Sequence, residues 1–178
     1  MKDKLTLRNV LICCAAFFAV LVFVFSFLTA FRVSSGNDWS EYRNIIWGCN
    51  GQRNSDGSAQ IYAANDRLGA AALPLVGAIL ALVGGLGACL SLLLVKDAKV
   101  AKICLIVCGA LLVVGGVLFF FTVAAYALEA SKRTGVSIED MKKAAEAAGT
   151  KTSSPLGLVS GILGIAGGLS VCGAALVK

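Results

Sequence analysis

Gly77 to Cys89 reads GAILALVGGLGAC, and Ser160 to Cys172, 83 positions later, reads SGILGIAGGLSVC. Ile79/Ile162, Leu80/Leu163, Gly84/Gly167, Gly85/Gly168, Leu86/Leu169 and Cys89/Cys172 are identical without a gap. Ala78/Gly161, Ala81/Gly164 and Gly87/Ser170 exchange one small residue for another. Both copies lie in charge-free apolar runs and read as equivalent transmembrane helices carrying the same packing face. At about 100° per residue, Gly157, Gly161, Gly164, Gly168 and Cys172 fall within roughly 80° of arc, a ridge of minimal side chains. Ala78, Ala81, Gly85 and Cys89 are its counterpart. Lipid tails are as apolar as Leu, so helix pairing depends on close backbone approach, and such a ridge permits it. These two helices are expected to make the tightest contacts in the bundle, with each other or with another subunit.

The rest of the chain supports a membrane reading. It has 178 residues, 58% hydrophobic and only 15% charged, a composition outside the range of soluble domains. Runs at 10–31, 74–95, 103–128 and 156–177 lack Asp, Glu, Lys and Arg, and each exceeds the roughly 20 residues needed to cross a bilayer. The expected fold class is an all-α, four-transmembrane-helix bundle forming a single integral membrane domain over 1–178. The net charge of +6 is spread over short segments and leaves no nucleic-acid footprint.

Lys and Arg are densest in the leader, at Lys2, Lys4 and Arg8, and in the turn at 96–102. That pattern places both termini and the turn in the cytoplasm, with loops 32–73 and 129–155 outside, as in a multi-pass protein of the plasma or cytoplasmic membrane. The first apolar run is too long for a signal peptide's core, and Leu28-Thr29-Ala30 makes a poor cleavage site. An offset of 95 aligns Cys13/Cys108, Ala15/Ala110, Val22/Val117, Phe25/Phe120 and Ala30/Ala125. With the stronger repeat, this predicts a tandem duplication of a helix hairpin about an axis along the membrane normal.

In the first outer loop Trp39, Tyr42 and Trp47 are the candidate contact residues, the tryptophans as interfacial anchors. Tyr42 to Cys49 can pair with 59–64 as a hairpin; the favoured alternative is a helix capped by Ser58 and running through Tyr62 toward Pro74. The alternating Asn50, Gln52, Asn54 and Asp56 hold one carboxylate, too few for a calcium loop. In the last outer loop Ser137 and Asp140 form a capping arrangement, Glu139 and Lys143 an i,i+4 pair, and Gly149 a stop. Ile138, Met141, Ala145 and Ala148 make a modest apolar stripe, read as part of a solvated connector.

The spans lack ionisable groups other than Tyr126 and thiols, and the chain has no His. Ion-coupled transport needs such groups inside the bundle, and the proteolipid rings of rotary ATPases need a carboxylate midway along a helix. Cys13, Cys89, Cys108 and Cys172 stand one per helix, four to seven positions from the inner ends. Four thiolates would suit Zn or Cu, and Cys13 or Cys14 would suit acylation. The favoured reading treats these cysteines as small packing residues, so no metal or other cofactor is expected. Cys49 has no outer partner, which argues against a thiol oxidoreductase.

With Trp47-Gly48-Cys49 in a longer first outer loop, a tight inner turn and a second outer loop, the topology resembles the claudin-like tetraspan group. In that family two cysteines follow the Trp motif and form a disulfide. Here only Cys49 is present, so the likeness is one of topology, and no pore-forming or adhesive residues carry over. The expected function is non-enzymatic: an accessory subunit, scaffold or envelope-interaction protein with the lipid bilayer and a protein partner or second copy as its contacts. The alternative is an oligomeric passive channel for small solutes.

Overall fold

The computed structural model describes residues 2–43, 48, 51–62 and 68–177. Helices α1 (Lys2–Phe25), α2 (Ala72–Leu94), α3 (Ala98–Phe119), α4 (Thr122–Thr134), α5 (Ile138–Ala147) and α6 (Pro155–Leu176) are accompanied by five short strands among the described residues, four between α1 and α2 and one between α5 and α6. Four of these helices, α1, α2, α3 and α6, are long and apolar enough to cross a membrane. Pro74 and Pro155 lie in the first turns of α2 and α6, where the missing N–H has no intrahelical acceptor in any case.

The all-α expectation holds for the spans and fails for the loops. Strands β1 (Thr29–Ser35), β2 (Asp38–Arg43), β3 (Gly51–Asn54), β4 (Ala59–Ile61) and β5 (Thr150–Ser153) form one antiparallel sheet of order β4-β3-β2-β1-β5. The first apolar run therefore ends as a helix at Phe25, and Thr29 to Phe31 belong to β1. The third run, read as one span to Leu128, breaks at Phe120-Phe121 before α4 begins. Where the favoured reading starts a helix after Ser58, Ala59–Ile61 is a strand; residues 63–67 of that reading lie outside the described residues. The strand's described partner is Gly51–Asn54, and most of the Tyr42 to Cys49 stretch lies outside the described residues.

The chain divides into two compact units. The bundle unit comprises Met1–Val24, Val76–Phe119 and Val159–Lys178, and the sheet unit comprises Phe25–Leu75 and Phe120–Leu158.

In the bundle unit the close glycine approaches of α2 and α6 are, among the described residues, to α1 and α3, where the expectation had these two helices packed on each other within the chain. A Cβ at Gly115 would stand 2.7 Å from Gly77 O and 2.9 Å from Ala81 N, both in α2. A Cβ at the next residue, Gly116, would stand 2.7 Å from Gly161 O and 2.8 Å from Ile165 N in α6. The adjacent glycines of α3 thus admit one neighbouring backbone each. The double glycines of the repeat divide their partners in the opposite sense. Gly84 meets α3 at Cys108 O (2.7 Å from its Cβ position) while Gly85 meets Ala19 of α1. Gly167 meets α1 at Phe18 Cβ (3.5 Å) while Gly168 meets α3 at Gly109 O (2.6 Å). Around these contacts Ile12, Ala15, Ala78, Ala81, Leu105, Leu112 and Val171 are wholly buried.

In the sheet unit β1 and β2 are joined through Gly36-Asn37, with Gly36 at φ 59°, a left-handed conformation that glycine adopts without steric cost. Gly57, at φ 84°, serves the β3–β4 turn. There the Ser58 hydroxyl and its backbone N–H (2.8 Å) bond Asp56 and hold that carboxyl below its ordinary value. Helix α5 starts as expected: Ser137 Oγ accepts from Asp140 N at 3.1 Å. Among the described ion pairs the i,i+4 pair along α5 is Lys142–Glu146, at 4.0 Å.

A side chain at Gly116 must displace backbone, whereas a Cβ at Gly173 would meet nothing within 4 Å. Gly116→Leu should therefore destabilise the bundle by about 1–3 kcal/mol or more through overpacking, read as a lowered thermal midpoint in detergent. Gly173→Leu should leave the midpoint unchanged or raised.

Candidate functional site

The two faces of the sheet carry different chemistry because cross-strand register alternates side chains. Arg32 is opposite Glu41, and its Nε donates to Glu41 Oε1 at 3.1 Å, with Nη2 closing the same pair. The Arg32 guanidinium also lies 4.8 Å from the centre of the Trp39 ring, a cation–π distance. On the other face Phe31 is opposite Tyr42, and the rings stack at 4.6 Å with 14° between their planes. Tyr126 of α4 approaches Phe31 at 5.3 Å, and Tyr62 approaches Tyr42 at 6.5 Å. The Tyr62 hydroxyl donates to Gln52 Oε1, and Ser40 Oγ donates to Asn54 Oδ1 at 2.8 Å.

On the Phe31 face, β1, β5, α4 and α5 enclose a cavity of about 530 Å³. Phe31, Leu68, Val123, Tyr126, Ala127, Ala130, Ile138, Met141 and Ala145 supply apolar wall, while Lys142, Glu146, Thr150 and Thr152 add polar atoms. Three of the four stripe residues of α5 line this cavity, so the helix packs on the sheet unit instead of serving as a plain connector. Ala148, the fourth, is exposed. The fifth strand completes the wall: Arg32 to Ser35 pair with Ser153 to Thr150, and Ser154 Oγ donates to Ala30 O at 2.6 Å. Apolar surface with a polar margin suits an aliphatic group or the side chains of a partner.

The candidate outer-loop contacts are thereby separated. Trp39 sits under Arg32 on one face and Tyr42 stacks on Phe31 on the other; Trp47 lies outside the described residues, as does Cys49. The helix-packing candidates Ala78, Ala81, Gly85, Gly157, Gly161, Gly164 and Gly168 are all buried. Cys89 and Cys172 are half-buried, and Cys172 Sγ lies 2.5 Å from the Cβ position of Gly109, a thiol set against a helix backbone. Among the described residues no three of His, Cys, Asp and Glu gather closely enough to hold a metal ion. Sequence reasoning overlooked Phe31, Arg32 and Glu41. The alternation on either side of Gly36-Asn37 was the signal for them.

No family model matches this chain, and comparison with curated proteins finds no match.

Phe31 joins sheet, aromatic cluster and cavity wall. Phe31→Ala should cost the sheet unit about 3–5 kcal/mol, seen by hydrogen exchange as lost protection in 29–35 and 150–153. The α2 and α6 segments should keep theirs.

Proposed function

We propose that this chain is a non-enzymatic multi-pass membrane protein that works by contact, as an accessory subunit, scaffold or envelope-interaction protein. The observation that carries this reading is the outer edge of the sheet. Among the described residues, strand β4 has a neighbour on one side only, its residues are all exposed, and Ile61 at its end is 83% exposed. An uncovered edge offers unpaired backbone groups for strand addition, and an exposed Ile adds apolar surface beside them. The glycine ridges, by contrast, are used within the chain, and this favours the loops as the surface for a protein partner or a second copy.

The exchange of partners between Gly84/Gly85 and Gly167/Gly168 supports a duplicated hairpin. A two-fold operation carrying α2 onto α6 also carries α1 onto α3, so the first glycine of one pair and the second of the other should face the same neighbour. That pattern is met by contacts that play no part in the sequence alignment. The density of Lys and Arg favours cytoplasmic termini, with both strand-bearing segments outside the plasma or cytoplasmic membrane. The topological likeness to the claudin-like tetraspan group is consistent with that arrangement. A passive channel has less support, because backbone approach and buried Ala15, Ala81 and Leu112 fill the bundle; conduction would require a path between protomers.

A photo-reactive side chain at Ile61, in native membranes, should give a discrete cross-linked product, and one at exposed Ala147 should give none. The absence of any Ile61 product, together with solute flux into proteoliposomes, would favour the channel. Single cysteines at Ser137 and Lys99 should label from opposite sides of the membrane; labelling from one side would overturn the orientation.

A further inference from the structure

At one end of the bundle unit the beginning of α1, the end of α2 and the beginning of α3 enclose a second cavity, of about 470 Å³. Arg8, Asn9, Cys13, Ser91, Lys96 and Ala101 are among its lining residues. Arg8 Nε is buried from water and has no hydrogen-bond partner. Neither Arg8 nor Lys96 forms an ion pair with any residue whose side chain is described, a set that excludes residues 2–6. Two nearby polar groups are committed elsewhere. Ser91 Oγ donates to Gly87 O at 2.7 Å. Asp97, the acid nearest Lys96 in the chain, accepts from Lys99 N at 2.8 Å and Val100 N at 3.2 Å, capping α3. No carboxylate is among the described lining residues.

A cationic donor removed from water without an acceptor is costly, and a bound anion would supply one. Two cations of different geometry suit a phosphate: guanidinium presents a planar fork to two oxygens, and ammonium a point charge to a third. Position favours a phosphate carried by lipid. The charge-free run of α1 begins after Arg8 and α2 ends at Leu94, so Arg8 and Lys96 bracket the level at which hydrocarbon gives way to headgroups. Leu7, Val10, Leu93 and Leu94 are exposed beside the cavity residues, Leu93 at 79%, and offer surface to acyl chains. We infer that this cavity binds the phosphate of an anionic phospholipid, with Arg8 and Lys96 as its ligands.

The test uses the full chain in non-ionic detergent, titrated separately with phosphatidylglycerol, phosphatidylcholine and inorganic phosphate while the thermal midpoint is followed. Phosphatidylglycerol should raise the midpoint saturably and more strongly than phosphatidylcholine, and native mass spectrometry should show one bound lipid. The Arg8→Gln/Lys96→Gln double variant should bind phosphatidylglycerol about tenfold or more weakly. The Lys132→Gln/Lys143→Gln variant, with the same charge change elsewhere, should bind as the wild type does. Equal responses to the two lipids in the wild-type chain would overturn the proposal, and that comparison holds even if a variant fails to fold. Saturable stabilisation by inorganic phosphate without advantage to the lipid would overturn the lipid source and assign the cavity to free phosphate.

Discussion

Backbone against backbone at α3 is the contact on which the membrane-spanning part depends. In water a bundle can form because burying apolar side chains releases solvent, but within hydrocarbon that drive is lost. What remains is dispersion, which decays steeply with separation. Gly115 and Gly116 bring α2 and α6 to distances at which a single methyl group would collide with a carbonyl oxygen or an amide nitrogen. Adjacent residues on a helix point about 100° apart, so a Gly-Gly pair makes two contact surfaces in two directions from one position along the axis. The third helix can therefore hold two neighbours at once.

The sheet depends on a different constraint. Its strands come from segments separated by two spans, and β5 joins β1 although more than a hundred residues lie between them. Backbone polar groups that leave a helix at the edge of an apolar region need partners, and the β1–β5 ladder supplies them to both segments. On the cavity face the ladder is reinforced by ring stacking, and on the opposite face by the Arg32–Glu41 pair over Trp39. Arg32 thus does more than balance one charge, since its guanidinium meets both a carboxylate and an indole.

The four spans were legible because charge-free length is a one-dimensional signal, and 3.6-residue spacing marks which face of each helix is small. The capping of α5 by Ser137 was legible for the same reason, being a contact over three residues. The partners of the ridges were not. Periodicity shows which face of a helix is small but not which helix it meets, and Gly109, Gly115 and Gly116 drew less notice than the repeat. Strands β1 and β5 were missed for a physical reason. Thr29, Ala30 and Phe31 continue an apolar run without a charge, so hydropathy extends the helix through them, although the alternation from Phe31 to Ser35 already has a period of two. Long-range pairing with Thr150–Ser153 leaves no mark in either segment alone.

That late pairing has a consequence for how the protein is made. When Thr29–Ser35 leaves the ribosome, the strand that will cover its free edge lies more than a hundred residues away in untranslated message. Throughout that interval β1 has an open row of amides and carbonyls next to Phe31, the kind of surface that recruits other nascent chains. That edge of β1 is covered only once Thr150–Ser153 has been synthesised. Replacing only Thr150–Ser153, with α6 kept, should therefore leave that edge of β1 open and make the chain more prone to aggregation.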